Sequence, residues 1–175
     1  MSTAESQPAS RPVAVVVMGV SGSGKTTVGR ALAAALGAEF IDGDDLHSPE
    51  ARAKMEAGHA LTDEDRRPWL DRIGGRLAQG LQAGRGAVLA CSALRRAYRD
   101  RLRAVAGDRL RFVYLKADLE LMRKRVAARK GHYMPASLVD SQFATLESPE
   151  GESDVLTAPA DGDLPVMIPQ LAAQL

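Results

Sequence analysis

A chain of 175 residues, 45% of them apolar, is long enough for one compact domain with a buried core. Its 23 basic and 22 acidic side chains leave a net charge of +1, so there is no global field directed at nucleic acid or an acidic membrane surface. The single cysteine, Cys91, excludes an internal disulfide, in keeping with a reducing, cytoplasmic setting, and no stretch approaches the ~20 apolar residues of a membrane span.

Met1 to Arg11, rich in Ser, Gln, Pro and Ala, lacks the apolar segment of a secretory signal and reads as a frayed tail before a single domain over residues 12–175. The run VAVVVM, Val13 to Met18, is continuous and β-branched, as in a strand buried on both faces of a parallel sheet. After a glycine- and serine-rich turn, Val28, Ala31, Leu32, Ala35 and Leu36 recur at helical spacing until Gly37 closes the helix. Glu39 to Ile41 predicts a second, short strand. Ser48 with Pro49 caps a helix to about Ala57, and Thr62 with Asp65 resembles a capping box for another that reaches about Ala83. Strands follow at Ala87–Cys91, Leu110–Ala117 and near Asp154–Thr157. Helices are expected over Leu94–Ala106, Leu119–Lys130, Ala136–Leu146 and from Leu164 onward. Strands alternating with helices imply right-handed crossovers and an α/β fold: a central parallel sheet of about five strands with helices on both faces.

The segment GVSGSGKT, Gly19 to Thr26, fits the phosphate-binding loop pattern G-x-x-x-x-G-K-[ST] in full, between a buried strand and a helix as that motif requires. Glycine torsions let successive N–H groups of Gly19, Val20, Ser21, Gly22, Ser23 and Gly24 curl around phosphate oxygens, and the helix N-terminus at Thr26 and Thr27 adds partial positive charge. Lys25 is expected on the β- and γ-phosphates and the Thr26 hydroxyl on Mg²⁺. The third strand ends in ACSA, without the carboxylate that steadies the metal in many P-loop proteins.

The second strand runs into FIDGDDLH, Phe40 to His47, which gathers Asp42, Asp44 and Asp45 within four positions. In open α/β sheets ligands bind beyond the carboxyl ends of the strands. Neighbouring strand tips would therefore bring this cluster and the phosphate loop to one crevice, with Mg²⁺ and Lys25 offsetting the repulsion.

The blocks MGVSGSGKTTVG, FIDGDDLHSPEARAKMEAGHALTDEDRRPWL, CSALRRAYRDRLR and HYMPASLVDSQFATLESP, spanning about Val13 to Glu150, resemble the gluconate kinase family of P-loop kinases, in that family's order. The resemblance implies ATP- and Mg²⁺-dependent phosphorylation of D-gluconate to 6-phosphogluconate on a nucleoside-monophosphate-kinase-like fold, with substrate-binding helices over 48–84, a lid over 120–135, and a homodimer as one assembly. Asp42 would then hold a magnesium-bound water. Asp44 would accept the proton of the substrate's terminal hydroxyl and aim it at the γ-phosphate, a reaction that needs positioning more than strong basicity. Asp45 either joins this cluster or only starts the next turn. His47, Lys54, Arg95 and Gln142 lie in matching blocks and are expected substrate contacts, each set against a role in solvation or a structural hydrogen bond. Arg66 either binds substrate or pairs with Asp63, and Trp69 and Leu70 read as core.

Arg125 and Arg129, four apart, share a helix face and would close over the phosphates as lid arginines. His132 fits either a lid hinge or a ligand contact. The run Arg95, Arg96, Arg99, Arg101, Arg103, Arg109 and Arg111 is interrupted by Asp100 and Asp108 and nearly lacks aromatics, so it reads as a solvated helix rather than a nucleic-acid surface. Cys91, on a buried strand, reads as a small apolar filler. Two rivals stand beside the gluconate reading. One is a kinase of the same architecture acting on shikimate or adenylylsulfate; the other is an ATP-binding regulatory module without catalysis.

Overall fold

The computed structural model describes residues 11–128 and 136–175; the expected tail and the lid positions Arg129 and His132 lie outside these, apart from Arg11. Five strands, β1 (Ala14–Met18), β2 (Glu39–Asp42), β3 (Ala87–Ala90), β4 (Leu110–Lys116) and β5 (Val155–Pro159), form one sheet in the order β2-β3-β1-β4-β5. Every pairing is parallel, with Val15 opposite both Val88 and Arg111, Ile41 opposite Leu89, and Val113 opposite Leu156.

Among the described residues seven α-helices accompany the sheet: α1 (Lys25–Leu36), α2 (Pro49–Glu56), α3 (Asp63–Gln82), α4 (Arg96–Ala106), α5 (Leu119–Ala128), α6 (Ala136–Thr145) and α7 (Leu164–Gln174). The two-residue period of β1 divides the core. Ala14, Val16 and Met18 pack under α3 and α4 with Trp69, Leu70, Ile73, Leu102 and Phe112. Val15 and Val17 face α1 and α7, with Leu32, Ile168 and Leu171. Helices therefore cover both faces of the sheet. A third cluster, of Val20, Leu94, Met122, Val126 and Val139, joins the turn after β1 to α5 and α6.

Ser48 accepts a hydrogen bond from the Ala51 amide at the start of α2, and Thr62 with Asp65 forms a full capping box on α3. Three expectations need correction. The tips of β1 and β2 are not neighbours, because β3 lies between them. β1 is buried at every position, as a central strand must be, whereas β2 is an edge strand with an exposed Glu39. Helix α4 begins at Arg96 rather than Leu94, because Ala93 adopts a left-handed φ of 46° and Arg95 is extended. The α4 arginines are also not uniformly solvated: Arg99 is fully buried.

Candidate active site

All five strands point the same way, so the loops after β1, β2 and β3 meet at one edge of the sheet. After β1, Gly22 and Gly24 take left-handed φ values of 83° and 94°, and Gly24 caps α1 without a side-chain bond. The N-terminal amides of α1 are thus left for an anion. Ser23 is buried, and its Oγ has no hydrogen-bond partner among the described residues. A curled backbone, an orphaned hydroxyl and a helix N-terminus suit a polyphosphate. The Lys25 ammonium lies across the loop, donating to the carbonyls of Gly19 and Val20 at 3.0 Å each.

Two helices from the far end of the chain reach this loop. Arg125, on α5, donates to the Gly22 carbonyl at 3.2 Å and to the Ala160 carbonyl at 3.3 Å, tying the turn after β5 to the cradle. Gln142, on α6, accepts from the Ser21 amide at 2.6 Å and donates to Ser21 Oγ at 2.8 Å. Here Gln142, expected among the substrate contacts, is engaged with the phosphate loop. Arg123 fastens α5 to α6 through Asp140 at 2.9 Å.

The acidic cluster resolves into one turn of 3₁₀ helix, Gly43–Leu46. Asp42 caps it, accepting from the Asp44 amide at 3.0 Å, while Asp44 and Asp45 stay exposed in its first turn. The repulsion among the three carboxylates is thereby eased by one backbone donor and by solvent. Gly43 is required by contact: a Cβ there would sit 2.5 Å from the Ala90 carbonyl at the tip of β3. The Gly43 carbonyl accepts from Trp69 Nε1 at 2.8 Å. Trp69 is buried as the sequence reading expects, and it is also a platform: the His47 ring stacks on it at 4.2 Å, 15° from parallel. Burial lowers the His47 pKa, against a smaller raising effect from Asp44, which favours a neutral imidazole.

The third wall combines the N-terminus of α3 with the loop after β3. Tyr98 donates to Asp63 at 2.6 Å and accepts from Arg66 at 3.0 Å. Arg95 lies 3.5 Å and Arg66 3.9 Å from Asp63, and both guanidinium groups stand over the Tyr98 ring. The Tyr98 bond holds the Asp63 carboxyl below its usual range, while burial, then the Asp63 bond, raises the Tyr98 phenol. Lys54 pairs with Asp65, whose pKa falls to about 2, first through that bond and then through Thr62. Cys91 lies beneath. Burial pushes its thiol up to about 12, in line with an inert filler.

Among the described residues no three carboxylate, imidazole or thiolate groups gather into a metal-holding set. The oxygens at hand for Mg²⁺ are the Thr26 hydroxyl, exposed on the first turn of α1, and the Asp42 oxygen not committed to the Asp44 amide, through a water. Such a sparse set fits a cation carried mainly by phosphate oxygens. The sequence reading names Asp63 as a partner of Arg66, and the two lie 3.9 Å apart, but it gives Tyr98 no part in this wall; the Tyr98 bonds to Arg66 and Asp63 join residues more than thirty positions apart, beyond the reach of local pattern.

Residues 15–149 match the profile of the AAA domain family. The gluconokinase of Gluconobacter oxydans (strain 621H) is 44% identical over 98% of this chain and 96% of its own. A probable gluconokinase of Schizosaccharomyces pombe is 49% identical, over 81% of this chain and 77% of its own. The crystal structure of a gluconokinase from Sinorhizobium meliloti 1021 superposes with a TM-score of 0.82 at 45% identity, over 93% of this chain and 91% of that one.

Proposed function

This chain belongs to the gluconokinase family and phosphorylates gluconate, and we propose that it does so with ATP and Mg²⁺ in the crevice between the Gly19–Thr26 loop and the Asp42–His47 turn. The observation that carries this reading is the shared edge: β1, β3 and β2 run parallel side by side, so the phosphate loop after β1 and the Asp42–His47 turn after β2 leave the same end of the sheet on either side of β3. The phosphate loop takes the β- and γ-phosphates, Lys25 turning from its loop carbonyls to them. Asp44, exposed at the mouth, accepts the proton of the terminal hydroxyl as its oxygen bonds to the γ-phosphorus and the bond to the β-phosphate oxygen breaks. Arg125, already at the cradle, covers the charge on the transferring group, with Arg129 joining it. Mg²⁺, held by Thr26 and a water on Asp42, would neutralise charge on the phosphate oxygens.

Gluconate is an anion with a polyhydroxyl chain, and Arg95 and Arg66 offer a paired cationic end for its carboxylate. His47, neutral and stacked, suits a hydroxyl, and Lys54 stands further along the same wall through Asp65. Gln142 acts on the phosphate loop, through which it can sense the transferring group. A homodimer and a cytoplasmic location belong to the same reading. No described helix is long and apolar enough to cross a membrane.

The test is ADP release with a panel of acceptors: gluconate, shikimate, adenylylsulfate and nucleoside monophosphates. Gluconate-dependent turnover is expected. Preference for another acceptor, or ATP binding with no acceptor-dependent turnover, would overturn the assignment. The gluconokinase relatives do not favour either outcome.

A further inference from the structure

Arg99 is the largest fully buried side chain among the described residues, at 0% exposure, although it lies in the most basic stretch of the chain. All five of its N–H donors are used. Nε donates to Glu152 Oε1 at 3.1 Å and Nη2 to Glu152 Oε2 at 2.8 Å, a bidentate ion pair. The remaining three go to backbone carbonyls: Ala93 at 2.8 Å, Leu94 at 3.2 Å and Glu147 at 3.0 Å.

Those carbonyls border the site. Ala93 is the only non-glycine residue with positive φ among the described residues, and its neighbour Ser92 accepts the Gly19 amide of the phosphate loop at 3.3 Å. The Leu94 carbonyl also receives the Glu147 amide at 2.8 Å, and its side chain belongs to the same core cluster as Val20, Met122 and Val126. Arg95 follows at once, extended, with its guanidinium 3.5 Å from Asp63. A buried ion pair kept for stability alone gains little over apolar packing of the same volume. A fork that grips three carbonyls in two loops does what no apolar side chain could.

We propose that Arg99 is a positioning residue for acceptor binding: it holds the left-handed turn at Ala93, so that Arg95 enters the acceptor wall. This rests on the reading of Arg95 as a carboxylate contact. Lysine in place of Arg99 keeps the charge for Glu152 but loses the fork that spans both loops.

The experiment is a double-mutant cycle on the full chain with Arg99→Lys and Arg95→Ala, reading KM for gluconate, KM for ATP, kcat and thermal midpoint. Arg99→Lys is expected to raise KM for gluconate about tenfold with KM for ATP within about twofold, and to add little in the Arg95→Ala background. If Arg99→Lys does not fold, Glu152→Gln takes its place in the cycle, with a smaller rise in the same direction expected. Equal rises in both KM values, or additive effects of the two substitutions, would overturn the proposal while leaving the Arg95 reading intact. An Arg95→Ala variant with unchanged KM for gluconate would overturn the Arg95 reading, and with it the route by which Arg99 acts.

Discussion

Gln142 and Ser21, 121 residues apart, are joined by two hydrogen bonds that pair the side-chain amide of one with the backbone N–H and hydroxyl of the other. Helix α6 is thereby fastened to the phosphate loop. Two such bonds contribute about 1–3 kcal/mol in all, so Gln142→Ala should weaken nucleotide handling roughly 5- to 150-fold in kcat/KM for ATP. Steady-state kinetics with each substrate varied in turn checks this. A rise confined to KM for gluconate would restore Gln142 to the acceptor pocket.

Asp44 is exposed on a capped 3₁₀ turn and carries no structural bond through its side chain among those described, so its loss should leave the fold alone. Asp44→Ala is expected to lower kcat about 10²- to 10⁴-fold while ATP still binds. Rapid-quench turnover and calorimetric titration with ATP measure the two separately. Near-normal turnover would remove Asp44 from proton transfer.

Lys25 bridges the carbonyls of Gly19 and Val20 and is the proposed contact of the β- and γ-phosphates. Lys25→Ala should reduce kcat about 10²- to 10³-fold, the usual cost of deleting one donor to a developing charge, whichever acceptor is supplied. Unchanged ATP affinity and rate would refute the cradle.

Asp65 predicts an acid response. Its carboxyl is held at about 2 by Lys54 and Thr62, against an ordinary value of 3.8. A depressed folded-state pKa contributes stability that is fully present above 3.8 and is lost as pH falls toward 2. The melting temperatures of the wild type and Asp65→Asn should differ at pH 6 and converge below pH 3. A gap that persists at pH 2 would assign the effect to packing instead. The exposure of the pair keeps the expected gap small.

Much of this was legible in the chain because it is encoded locally. The phosphate loop is eight consecutive residues, and the caps at Ser48 and Thr62 need only three more positions. The strand order is barely legible: the one local signal that β2 lies at an edge, leaving room for β3 beside β1, is the amphipathic pattern of Glu39–Asp42. Arg99 was misread for a related reason. In composition it belongs to a basic, solvated helix, yet its carboxylate partner lies 53 residues downstream. In the acidic cluster the sequence reading offers a structural part to Asp45 alone, whereas it is Asp42 that caps the turn.

Trp69 is the single tryptophan in the chain, and it lies flat against the His47 imidazole. Indole emission responds to displacement of a stacked ring. The protein thus carries an optical gauge at the proposed acceptor mouth. Gluconate should alter the intrinsic fluorescence and ATP alone should leave it nearly constant, so acceptor occupancy can be followed without any label.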